Sequence, residues 1–79
     1  MKELEYNYKN LLLAIGLKIS YYRKLCGLSQ EELAERVGVS AAFIGMLEAP
    51  NIYKAPSLKT INKIALALDI PVYKLFQAD

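Results

Sequence analysis

"GLSQEELAERVGVSAAFIGMLE", residues Gly27 to Glu48, decides the fold of this chain. Ser29 followed three residues later by Glu32 is a Ser-x-x-Glu capping box. In such a helix start the hydroxyl and the carboxylate each satisfy a backbone N–H that has no partner within the helix. Glu31 and Glu32 also suit the positive end of the helix dipole. Leu33, Ala34 and Val37 recur at helical spacing as an inward face, and Gly38 stops the helix after two turns. One short turn later Ser40 caps a second helix with Ile44 and Leu47 on its inner side, and Pro50 prevents that helix from going on. The stretch is therefore two short helices joined by a tight turn.

Outward from this corner the apolar spacing stays helical, and alternating polar–apolar strands are absent. Helix one is expected from about Asn7 or Asn10 to Cys26, after a short N-terminal arm, residues 1–9. Its core face is Leu12, Ile15, Ile19, Tyr22 and Cys26, and Gly27 ends it. Asn51 to Pro56 form a loop that holds Tyr53 and Lys54. Helix four starts at the cap Ser57 and has Leu58, Ile61, Ile64, Ala65 and Leu68 as its buried stripe. Helix five is short, from Pro71, which suits a first helical turn, to about Phe76 or Gln77. The expected fold is an all-α, compact five-helix bundle in a single domain, residues 1–79. Leu13, Leu17, Tyr21 and Leu25 form a second apolar row on helix one. Either the N-terminal arm or the C-terminal tail folds over it, or it is a self-association surface.

The bulk numbers agree with one small domain. A 79-residue chain buries only about 60 to 65% of its unfolded surface, so it depends on its 54% hydrophobic residues. A charged fraction of 23% and the lack of any low-complexity run argue against disorder. Net charge is only +2, which permits a nucleic-acid partner without arguing for one. Cys26 is the one cysteine and is read as a small core residue; with no histidine, a metal site of Cys or His ligands is excluded. No cofactor or small-molecule ligand is expected. The apolar run Leu11 to Leu17 is too short for a signal peptide and is broken by Lys18. No stretch could span a membrane, so the expected setting is soluble, reducing and cytoplasmic. Without histidine, paired catalytic carboxylates or a phosphate-binding glycine loop, an enzyme is not expected.

Two short helices joined by a tight turn and flanked by others make a helix-turn-helix candidate. The residues go further. Gly16, Ile19 and Arg23, then Gly27-Leu28-Ser29-Gln30-Glu31-Glu32-Leu33-Ala34, then Gly38-Val39-Ser40, Ile44 and Leu47-Glu48, together resemble the Cro and phage-repressor family, also called the XRE-type helix-turn-helix. "PSLKTINKIALALDIP" is similar to the family's fourth helix, and the resemblance runs from about residue 12 to 76. It implies a lambda-repressor-like DNA-binding domain in which helices two and three form the helix-turn-helix. The implied function is that of a sequence-specific transcriptional regulator, partnered by double-stranded DNA and acting as a homodimer. It also implies a buried ion pair, Arg23 with Glu48, that ties helix one to the end of helix three. The alternative reading is a degenerate helix-turn-helix module that binds protein, antitoxin-like or an anti-repressor subunit. That reading predicts loss of the basic rim, and Lys54 with Gln30 argues against it.

The family reads bases from the outward face of helix three, which maps here to Ala41, Ala42, Gly45 and Met46. Relatives often carry Gln, Ser, Arg or Lys there, and this chain departs from them at each position. Apolar groups can still touch the thymine methyl, and small residues let the helix backbone lie closer to the groove floor. Phosphate contacts and DNA deformability can supply affinity and part of the specificity. The phosphate candidates are Ser29, Gln30, Ser40, Asn51, Tyr53 and Lys54, with Lys59 beside them. Gln30 stands in the first turn of helix two, where its amide can hold a phosphate and the helix end attracts anions.

Overall fold

The computed structural model of the chain describes residues 2–77. It is an all-α helix bundle: α1 (Lys2–Leu25), α2 (Gln30–Val37), α3 (Ala41–Glu48) and α4 (Leu58–Ala67), closed by a 3-10 turn, Val72–Leu75. The fifth element, expected as a helix from Pro71, is thus only this 3-10 turn. Pro71 precedes it in an extended conformation, with φ −63° and ψ 143°, and starts no α-helix. Among the described residues no helix is long and apolar enough to cross a membrane.

Local chemistry sets the helix ends. Ser29 Oγ accepts the Glu32 N–H at 3.0 Å, and Glu32 Oε1 accepts the Ser29 N–H at 2.9 Å, which completes the capping box. Hydrogen bonds donated to the Glu32 carboxyl, by the Ser29 backbone N–H first and then by the Ser29 hydroxyl, hold it below its ordinary pKa, with help from the charge of Arg36. Ser40 Oγ accepts from Phe43 N at 3.0 Å and Ser57 Oγ from Thr60 N at 3.1 Å, so each of these helices begins on a serine. Gly38 ends α2 at φ 85°, where its own N–H and that of Val39 both reach the Ala34 carbonyl, at 2.8 and 3.0 Å. A side chain would be strained in that left-handed conformation.

The core is built from the inner faces of all five elements. Ile19, Leu33, Ile44, Ile64, Leu68 and Leu75 are its most deeply buried large side chains. One contact sets how closely α1 crosses α3. Gly16 lies against the Leu47 backbone, and a Cβ there would overlap the Leu47 carbonyl oxygen.

Four expectations need correction. Helix α1 starts at Lys2, so the stretch expected as an arm is helical from Lys2 onward. Residues 2–11 are exposed and Leu12 is the first buried position, so the first turns overhang the bundle. A 24-residue helix is about 36 Å long, close to the 37 Å longest extent of the domain. Second, the second apolar row is left largely uncovered among the described residues: Leu13 is half-buried, but Leu17, Tyr21 and Leu25 are 58, 55 and 65% exposed. Third, Cys26 is exposed rather than a core residue, because the helix stops at Leu25 and its phase no longer applies. Its thiol donates to the Leu68 carbonyl at 3.6 Å. Fourth, Leu58 is 78% exposed, since it stands in the first turn of α4 where no neighbouring element covers it.

Candidate nucleic-acid interface

Helix α3 carries the surface in question. Ile44 and Leu47 point into the core, and Ala42 and Met46 stand exposed on the opposite side. Ala41 and Gly45 occupy an intermediate position. Ala41 packs against the core, and Gly45 faces the Gln30 side chain, whose Oε1 lies 3.5 Å from where a Cβ would stand. The outward face is therefore narrower than a helical wheel suggests. Ala42 is exposed and Met46 is 38% exposed, whereas Ala41 and Gly45 are half covered by α2 and the core.

Around this face stand the polar candidates. Ser29 and Ser40 use their oxygens to accept backbone N–H groups; the Ser29 hydroxyl is also shared with the Glu32 carboxylate, and the Ser40 hydroxyl can still donate. Asn51, Tyr53 and Lys54 are exposed on the loop between α3 and α4. Two cation–π contacts brace that loop. The Lys54 ammonium lies 5.8 Å from the centroid of the Phe43 ring on α3, and the Lys9 ammonium 5.3 Å from that of Tyr53. Tyr53 has φ 57°, a left-handed conformation uncommon in a residue with a side chain. The overhanging part of α1 thus touches the loop through Lys9, a contact invisible in the sequence, since residues 44 positions apart in the chain give no local signal for it.

Behind α3 lies a buried polar network. Arg23 Nε donates to Glu48 Oε2 at 2.8 Å and Arg23 Nη2 to Glu48 Oε1 at 2.9 Å, a two-pronged contact between the guanidinium and the carboxylate. Arg23 Nη1 donates to the Leu28 carbonyl at 2.7 Å, just before α2. The hydrogen bonds from Arg23 to Glu48 raise the Arg23 pKa, and burial acts against them. Gln30 joins the same network, its Nε2 donating to Glu48 Oε1 at 3.1 Å. One N–H of the amide expected to meet phosphate is thus engaged inside the protein. A single cluster therefore ties α1, the start of α2 and the end of α3 together.

Comparison with known proteins agrees with this geometry. A family model described as helix-turn-helix matches residues 19–75. The HTH-type transcriptional regulator SinR of Bacillus subtilis is 38% identical over 61 residues, 77% of this chain and 54% of that protein. The chain therefore spans about half the length of this relative. An uncharacterized HTH-type transcriptional regulator, MJ0272 of Methanocaldococcus jannaschii, is 39% identical over 59 residues, 75% of this chain and 86% of its own length. Among solved structures, the restriction-modification controller protein C.AhdI of Aeromonas hydrophila superposes with a TM-score of 0.76 at 37% identity, covering 82% of this chain and 96% of that one. SinR, crystallised in complex with DNA, superposes with a TM-score of 0.73 at 36% identity, covering 80% and 98%. With a family model over residues 19–75 and relatives of this identity, the chain belongs to the helix-turn-helix family.

Proposed function

We propose that this chain is a sequence-specific, DNA-binding transcriptional regulator of the XRE type, acting in the cytoplasm as a homodimer. In a lambda-repressor-like arrangement, α3 enters the major groove with Ala42 and Met46 toward the bases. Ala41 and Gly45 let the helix lie close to the groove floor. Ser29, Ser40, Asn51, Tyr53 and Lys54 hold the phosphates on either side. The observation that carries this reading is the exposed face of α3, free of side-chain donors and acceptors and ringed by hydroxyls and an exposed lysine loop. The solved relative SinR, whose structure holds DNA, supports the partner class. Selection of bound duplexes from a random pool tests it. A recurring motif enriched over successive rounds supports the reading, and a pool that stays random contradicts it.

Phosphate gripping and base reading separate under mutation. Lys54→Ala should weaken binding to all sequences alike and flatten the salt dependence by about one unit for each phosphate left unneutralised. Met46→Ala should change affinity only where a thymine methyl faces it, within the 1–3 kcal/mol or so that a good base contact gives. Titrations over a range of salt, on a selected and a scrambled duplex, measure both. Loss of all binding in Met46→Ala, beside an unchanged salt slope in Lys54→Ala, would reverse the assignment.

Dimerisation follows from the poverty of each reading face. Two recognition helices about 34 Å apart meet successive major grooves of B-DNA and double the few base contacts that one makes. The exposed row Leu17, Tyr21 and Leu25, and Val72, Tyr73 and Phe76 near the C-terminal end, offer apolar surface for association. Sedimentation on a selected duplex should give two chains per site; one chain per site at saturation would contradict the dimer.

A further inference from the structure

The outer face of α3 offers no hydrogen-bonding side chain, yet one lies against it from the neighbouring helix. Gln30 belongs to α2, and its amide oxygen sits over Gly45 of α3, where only hydrogen occupies the side-chain position. Its amide nitrogen is fixed by Glu48, and Glu48 is fixed by Arg23. The orientation of the amide follows from chemistry, because an ionised carboxylate only accepts and the nitrogen must face it. What remains to Gln30 is one N–H and the carbonyl oxygen. That donor–acceptor pair complements the major-groove edge of adenine, where N7 accepts and the N6 amino group donates.

Resting on the DNA-binding reading above, we propose that Gln30 is a specificity-determining residue: carried by α2 but held over Gly45 of α3, it reads an adenine edge in place of the readers that α3 lacks. Glu48 acts through it as a positioning residue. The small residue at 45 is part of the device. A Cβ at 3.5 Å from the Gln30 oxygen is an ordinary contact, so alanine is tolerated there. A branched side chain would displace the amide from Glu48.

The test uses a duplex selected by the wild-type chain, with each base pair replaced in turn. Wild type should discriminate at one A·T pair in each half-site by about 5- to 150-fold, the range of a good two-point contact. Gln30→Ala should lose discrimination at that pair alone and keep its binding to a scrambled duplex within about twofold. Gly45→Val, which displaces the amide, should show the discrimination profile of Gln30→Ala. Replacing that adenine by 7-deazaadenine removes the N7 acceptor. It should weaken wild type and leave Gln30→Ala unaffected. A Gln30→Ala protein that folds and binds every duplex weaker by one common factor makes Gln30 a phosphate contact and overturns the proposal. A profile identical to that of wild type overturns it as well. A wild-type chain with no preference at any base pair would sink the sequence-specific reading itself, a failure visible before any variant is made.

Discussion

Replacing Glu48 by alanine should lower the melting temperature by at least about 12 °C. The variant strands Arg23, whose side chain is only 10% exposed, with the Leu28 carbonyl as its one remaining partner in the network. Breaking a buried pair by removing one member costs on the order of 3–5 kcal/mol, because the other charge is left desolvated. A chain of this size has total stability on the order of 4–12 kcal/mol. Each kcal/mol moves the midpoint by about 4–8 °C in a domain this small. Replacing both partners with apolar residues, Arg23→Met with Glu48→Leu, should restore most of the loss, since a well-packed apolar pair often equals a buried ion pair. Thermal unfolding followed by circular dichroism measures each variant. A melt of Glu48→Ala that overlays the wild type would contradict the network as the tie between α1, α2 and α3.

Gly16→Ala should also destabilise the fold, against the general rule for helices. In an exposed helix interior, glycine to alanine gains about 0.8–1.0 kcal/mol. At Gly16 the new Cβ meets the Leu47 carbonyl oxygen, which is backbone and cannot swing away. The helices must separate, and such overpacking costs about 1–3 kcal/mol, occasionally more. The sign therefore flips. Gly45→Ala is the internal comparison, for its Cβ meets only the end of a flexible glutamine at 3.5 Å, and it should gain most of the helix propensity. Chemical denaturation of both variants checks the pair. If Gly16→Ala is as stable as wild type, the close crossing of α1 and α3 is not a constraint.

The parts of the fold written in local chemistry were legible in the sequence. Ser29 with Glu32, Ser40, Ser57 and Gly38 mark helix ends, because each acts on backbone groups within a few residues of itself. Leu33, Val37, Ile44 and Leu47 follow helical phase into the core. What failed depended on how far a phase runs or on what covers it. The start of α1 lacks a serine cap, and its first turns are exposed, so no buried stripe announces Lys2. Cys26 and Leu58 sit at helix margins, where spacing persists and burial does not. The candidate face on α3 was legible as a stretch without side-chain donors. The hold of Glu48 on Gln30 was not, because it joins residues 18 apart through the side-chain geometry of two crossing helices. The lack of side-chain donors on α3 was the only hint that a neighbouring helix supplies one.

If phosphate neutralisation carries the affinity while the bases are read lightly, the decisive quantity is the salt dependence of binding. It is measured on the intact chain with a selected and a scrambled duplex. With Lys54, and Lys59 exposed in the first turn of α4, neutralising phosphates in each protomer of a dimer, log K should fall against log salt with a slope of about −3 to −4. The slope should be the same for both duplexes, with the selected one offset by its base contacts. A slope near zero, or no retention of either duplex at low salt, would refute the division between firm backbone grips and light base reading.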